Sequence, residues 1–202
     1  MGRNEGMLIQ RESPEEAFKV EETMKNKVLG IVGSPRKGAN TDTLVEQVLK
    51  GASELSASTE KLFLAEMDVK PCRACDTCQK TGKCVINDDF DSTLEKMKES
   101  DVWILGTPVY WWGPTAQMKA FIDRWYGVER SVFRDKRIVL VVPSGGGSYY
   151  ARQTVEMLES IIPYLGMRHI ATLQTGTSGR ESARRDTSLM NKALKIGEEA
   201  IK

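Results

Sequence analysis

From residue 27 to residue 201, short apolar runs alternate with stretches in which apolar residues recur every three or four positions. That alternation restricts the chain to strands separated by helices. Residues 28–33 (Val-Leu-Gly-Ile-Val-Gly) are apolar and largely β-branched, the mark of a strand covered on both faces. Leu44, Val45, Val48, Leu49 and Ala52 follow at helical spacing. Residues 61–64 read as a second strand, Phe90, Leu94 and Met97 as a helix entered through Asp88 and Asp89, and 102–105 as a third strand. Pro114 opens a helix with Met118, Phe121, Ile122 and Trp125 on one face, and 138–142 form a fourth strand. Val155, Leu158, Ile161 and Ile162 mark another helix, 169–173 a last strand, and 188–201 a closing helix. The pattern predicts a single α/β domain over 27–202, with one five-stranded parallel sheet covered on both faces through right-handed connections.

Composition narrows the class. With 202 residues, 40% of them hydrophobic, one core suffices. A formal net charge of +1 lacks the cationic excess that a phosphate backbone demands, so nucleic acid is excluded as a partner. No apolar run approaches the roughly 20 residues needed to cross a bilayer, and residues 1–24 do not resemble a signal peptide, so a cytoplasmic protein without a membrane partner is expected. Residues 1–26 are polar, with six glutamates and few apolar residues, and read as an arm without a core. Within it, Ser13 and Pro14 have the types expected at the start of a short helix reaching Met24.

All four cysteines, Cys72, Cys75, Cys78 and Cys84, fall within the loop 71–88 in the pattern Cys-x2-Cys-x2-Cys-x5-Cys. Three thiolates spaced three apart with a fourth just downstream match the compact runs that ligate a four-iron four-sulfur cluster. A reducing compartment weakens a disulfide reading. Zinc sites usually separate two Cys-x2-Cys pairs by a longer spacer, yet zinc or uncoordinated thiols remain alternatives.

In a parallel sheet of this kind, ligands sit beyond the carboxyl ends of the strands. The loop after the first strand, 33–41, carries Ser34, Arg36, Asn40 and Thr41 at a helix start, where free amides and the positive dipole end favour a phosphate. The same residues also suit a turn and a helix cap. The loop after the third strand places Pro108, Val109, Tyr110, Trp111, Trp112 and Gly113 in succession, an aromatic platform for a flat ligand or packing for a subunit partner. The loop after the fourth strand, with Ser144, Gly145, Gly146 and Gly147, permits close backbone approach. His169, the only histidine, lies on a strand and has no assigned role; no side chain is assigned as a catalytic acid or base.

Gly-Ser-Pro-Arg-x4-Thr at 33–41 and Thr-Pro-Val-Tyr-Trp at 107–111 resemble the phosphate and isoalloxazine loops of the flavodoxin-like NADPH-dependent FMN reductase group. The cysteine run is similar to that of its iron–sulfur flavoprotein family, and the resemblance extends over nearly everything from residue 27 onward. It implies a flavodoxin-like three-layer sandwich with strand order 2-1-3-4-5. It further implies FMN phosphate held by Ser34, Arg36, Asn40 and Thr41, the ring lined by Pro108 to Gly113, and its other edge closed by Ser144 to Gly147. By the same resemblance the four cysteines hold a four-iron cluster beside the flavin. An electron-transfer flavoprotein is then expected, passing electrons between FMN, the cluster and an external carrier such as ferredoxin, with NAD(P)H as a donor. A plain NAD(P)H-dependent FMN or quinone reductase with inert thiols is the alternative. A homodimer or homotetramer is expected, because one small domain leaves a side of the flat flavin site open.

Overall fold

In the computed structural model, which describes residues 26–202, the apolar runs become β1 (Lys27–Val32), β2 (Ser58–Phe63), β3 (Val102–Gly106), β4 (Arg137–Ser144) and β5 (Arg168–Gly176). The arm expected over 1–26, and the short helix expected within it, lie outside the described residues except for Asn26. The strands pair in parallel in the order β2-β1-β3-β4-β5, the order of the flavodoxin-like sandwich. The helices are α1 (Asn40–Glu54), α2 (Thr77–Thr81), α3 (Phe90–Glu99), α4 (Ala116–Asp123), α5 (Ser148–Tyr164) and α6 (Thr187–Ala200).

Strand side chains alternate between faces, so each apolar run feeds two cores. Leu29, Ile31, Trp103, Leu105, Ile138 and Leu140 pack with Phe90, Met97, Phe121, Leu158 and Ile162 from α3, α4 and α5. Val28, Val32, Ile104, Val139 and Val141 pack on the other side with Val45, Val48, Ala193 and Ile196 from α1 and α6. Fully burying each of these large side chains is worth about 1.5–3 kcal/mol. Helices α1 and α6 meet at two glycines: a Cβ at Gly51 would lie 1.9 Å from the Leu194 carbonyl oxygen, and one at Gly197 1.9 Å from that of Val48. This close crossing pins α1, whose N-terminus faces the carboxyl edge of the sheet. Strand β2 is an edge strand, mostly exposed, and carries Lys61, which pairs with Asp42 and Glu46.

Several boundaries differ from the sequence expectation. The helix expected to open at Pro114 begins at Ala116, because the Thr115 hydroxyl accepts from the Met118 amide at 3.3 Å and caps it. Trp125 lies past that helix in the 3-10 turn Arg124–Gly127, yet stays buried among Trp103, Phe121 and Phe133. The last strand is longer than expected, reaching Gly176, and α2 forms inside the cysteine loop. Among the described residues no helix is long and apolar enough to cross a membrane.

Candidate functional site at the carboxyl edge of the sheet

The loop after β1 is tied down before it reaches any ligand. The Gly33 amide donates to the Gly106 carbonyl (2.7 Å), and the buried Ser34 hydroxyl accepts from the Arg36 amide (3.1 Å), tightening the turn. Among the described residues no side chain caps α1 at Ala39; the Ala39 and Asn40 amides donate to the Arg36 and Arg180 carbonyls, which leaves the Thr41 and Asp42 amides and the dipole end for an anion. Asn40 is not that cap. Its side chain donates to the Gly179 carbonyl (2.5 Å) and accepts from the Ala183 amide (2.9 Å), lashing the loop after β5 onto α1. Arg184 adds a hydrogen bond to the Gly38 carbonyl at 2.8 Å.

The aromatic loop stands on two buried threonines. The Thr107 hydroxyl accepts from the Thr115 amide (3.1 Å), and the Thr115 hydroxyl donates to the Gly33 carbonyl (2.5 Å), joining this loop to the first. Beyond them Tyr110 and Gly113 exchange two backbone hydrogen bonds across a tight turn. The turn places Trp111 and Trp112 at φ 51° and 63°, the left-handed region where a bulky side chain is strained. Trp111 is 91% exposed, while Trp112 packs on Tyr150 with ring centroids 6.3 Å apart.

These loops, with those after β4 and β5, enclose a cavity of about 480 Å³ lined by Ser34, Arg36, Asn40, Thr41, Pro108, Val109, Tyr110, Ser144 and Gly145 among others. A neighbouring cleft of about 340 Å³ shares Val109, Ser144 and Gly145 and adds Trp111, Trp112, Gly146 and Tyr150. Gly113 and Gly147 line neither and shape their loops instead: Gly147, at φ 82°, accepts from the Ser144 hydroxyl at 2.5 Å. Sequence reasoning missed Tyr150 and the stretch Thr177, Ser178, Gly179 and Arg180, which lines the larger cavity. The run Thr-Gly-Thr-Ser-Gly-Arg at 175–180, following the last strand, was the available signal. The cavity is thus hydroxyl-rich and cationic at one end and apolar to aromatic at the other. That polarity and the amide cradle at α1 suit a phosphorylated, flat heteroaromatic group.

The cysteine loop leaves the carboxyl end of β2 as expected, but it packs on the turn Arg124–Gly127, and none of its cysteines lines either cleft. Its base is zipped by the Asp68 amide to Asp89 (2.8 Å), the Lys70 amide to Asp88 (2.9 Å) and a 2.6 Å ion pair between Asp88 and Arg124, both side chains buried. Burial would raise the Asp88 pKa; the Arg124 guanidinium and the amides of Lys70 and Phe90 outweigh it and hold the carboxyl below the usual range. The Cys75 thiol is drawn below its ordinary value by hydrogen bonds from Thr77, first its amide and then its hydroxyl. Cys78 lies against Gly127, and the Tyr126 hydroxyl is hydrogen-bonded at 3.1 Å to Asp76, whose carboxylate raises its pKa above the ordinary value. The expected convergence of all four thiols on one point is not seen: among the described residues no three Cys, His, Asp or Glu side chains are gathered at metal-ligating spacing. The loop instead spreads them, with Ala74 and Asp76 in left-handed conformations on either side of an exposed Cys75. The donor chemistry nonetheless fits an iron–sulfur cluster: four free thiols share one loop, and a buried Arg124 Nη2, without a hydrogen-bond partner among the described residues, belongs to a guanidinium that borders the same cleft as Cys84.

Residues 26–180 match the NADPH-dependent FMN reductase family. An iron–sulfur flavoprotein of Methanocaldococcus jannaschii is 48% identical over 98 residues, 48% of this chain and 51% of that protein. An iron–sulfur flavoprotein of Archaeoglobus fulgidus is 30% identical over 190 residues, 87% of this chain and 94% of that protein. The chain thus spans about half the length of the first relative and nearly all of the second. Among solved structures, a flavone reductase superposes with a TM-score of 0.69 at 20% identity, covering 87% of this chain and 62% of that one, a likeness of fold.

Proposed function

The chain belongs to the NADPH-dependent FMN reductase family, and from that premise we propose that it is a flavin-dependent oxidoreductase that holds FMN at the carboxyl edge of its sheet and a four-iron four-sulfur cluster in its cysteine loop. NAD(P)H is the proposed donor, and a carrier such as ferredoxin the proposed external partner. One observation carries the reading: loops from four strand ends meet around a cavity of about 480 Å³, with phosphate-type donors on one side and Pro108, Val109 and Tyr110 on the other. Ser34, Arg36, Thr41 and the amides of α1 would take the phosphate, aided by Arg180 across the cavity. Pro108, Val109 and Tyr110 would cover the ring, with Gly145 at its edge. Bound FMN supplies hydride and single-electron exchange, and a cluster supplies single-electron transfer. The chain's own residues bind, orient and shield, and the reading assigns no side chain the role of general acid or base.

Cys72, Cys75, Cys78 and Cys84 would hold the cluster, as supported by the relatives named iron–sulfur flavoproteins. A plain FMN or quinone reductase with uncoordinated thiols is the second reading, favoured by the spread of the four thiols. A homodimer or homotetramer is proposed because Trp111, Tyr149 and Tyr150 are exposed beside the cleft. Anaerobic absorption with flavin, iron and sulfide analysis, on the protein and on Cys78→Ser, separates the two readings. About four irons per chain, lost in the variant, support the cluster; flavin without iron leaves the simple reductase. Sedimentation of the loaded protein at the 22.6 kDa of a single chain overturns the oligomer.

A further inference from the structure

One side chain reaches both ends of the cysteine loop. Arg124 is 3% exposed, and its Nη1 donates to the Lys70 carbonyl (3.1 Å) where the loop begins and to the Asp88 carboxylate (2.6 Å) where it ends. The Phe90 ring lies 4.6 Å from the guanidinium carbon and covers one face of it. Its Nη2, equally buried, has no hydrogen-bond partner among the described residues. Leaving such a donor unpaired costs about 1–3 kcal/mol, more for a charged group. Arg124 and Cys84 border the same cleft of about 340 Å³, which is separate from the two clefts at the sheet edge. The neighbouring residues serve the same loop: Tyr126 hydrogen-bonds to Asp76 and Gln79, and Gly127 leaves room for Cys78, whose sulfur would lie 3.0 Å from a Cβ there.

We propose that Arg124 is a positioning residue for the cluster, clasping the two ends of the cysteine loop and donating its remaining Nη2–H to the Cys84 sulfur. This rests on the cluster reading above. Hydrogen bonds to ligating sulfurs are among the determinants of cluster potential, because they withdraw electron density and favour the more negative, reduced form. Arg124 therefore raises the potential as well as closing the loop. Arginine suits both tasks, since a planar fork of five donors can serve a carbonyl, a carboxylate and a sulfur together, whereas a lysine ammonium cannot span them.

The test uses the full chain purified anaerobically with FMN and iron. Arg124→Lys keeps a cation for Asp88 and removes the second arm. It is expected to move the cluster midpoint potential to a more negative value while the flavin midpoint stays. Asp88→Asn, which loosens the loop and retains Arg124, is expected to lower the melting temperature without an equal change in cluster potential. A measurement on the unaltered protein stands beside these: its iron–sulfur stretching bands in resonance Raman spectra are expected to shift on exchange into deuterated water, and to shift less in Arg124→Lys. An iron-loaded Arg124→Lys protein with unchanged midpoint and deuterium sensitivity overturns the role of Arg124 and leaves the cluster standing. Wild-type Raman bands insensitive to deuterium do the same even where the variant fails to fold. Wild-type protein that holds no iron overturns both.

Discussion

The cleft at the carboxyl edge and the cysteine loop are built on opposite plans. The cleft inherits its shape from buried strands: Gly33 bonds to Gly106, Thr115 to Gly33, Thr107 to Val141, and Asn40 to Gly179 and Ala183, so each wall is anchored to another. The cysteine loop lies outside the sheet, is largely exposed, and gathers its order at Asp88 and Arg124. A site distributed over many backbone hydrogen bonds weakens gradually when one is removed. A site hung on one buried ion pair fails at that pair.

The largest separation of the two regions is expected from Asp88→Ala, which strands the Arg124 guanidinium in the interior. A loss of about 3–5 kcal/mol is expected, read as a lowered denaturant midpoint, while FMN affinity of the protein that remains folded changes little. Equal damage to FMN binding would show that the two sites are one cooperative unit. Asn40→Ala is the converse perturbation, at about 1–3 kcal/mol for the buried Ala183 amide left unpaired. Calorimetric titration with FMN should show weakening of about tenfold, or about 1.4 kcal/mol, because the 177–180 wall detaches, with iron content unchanged. Trp111→Gly should act in the opposite direction. Removing a bulky side chain from φ 51° relieves about 1 kcal/mol of backbone strain and should raise the melting temperature of the single chain; a drop would show that the exposed indole is buried by a partner copy.

Acid is the mildest probe. Because the folded Asp88 pKa lies below its ordinary value of about 3.9, its contribution to stability is present above that value and is lost as pH falls through the lower folded pKa. Melts from pH 6 downward should therefore show an acid-dependent loss that Asp88→Asn diminishes, with the FMN cleft the later region to fail.

Much of this was legible in the chain because periodicity records burial. The alternation from 28–33 onward revealed the strands and their two faces, and glycine, proline and hydroxyl residues after the first, third and fourth strands marked three of the four cleft walls. The fourth wall, 177–180, was missed because β5 runs on to Gly176, farther than its apolar residues extend, on a half-exposed edge where the pattern is weak. Pro114 suggested a helix start that Thr115 took instead, since a hydroxyl near the N-terminus both caps the helix and reaches the Gly33 carbonyl.

Sequence by itself determined the fold class, the strand and helix alternation, and the donor types at each candidate site, because these depend on local pattern and residue chemistry. Tertiary structure alone decided how those donors are engaged. It committed the Asn40 amide and the Ser144 hydroxyl to the scaffold, spread the four thiols along the loop, and brought Arg124 to both ends of it. The physical reason is that hydrogen-bond partners and buried ion pairs join residues far apart in the chain, as Arg124 joins Asp88 and Asn40 joins Gly179, and no local pattern encodes such a distance.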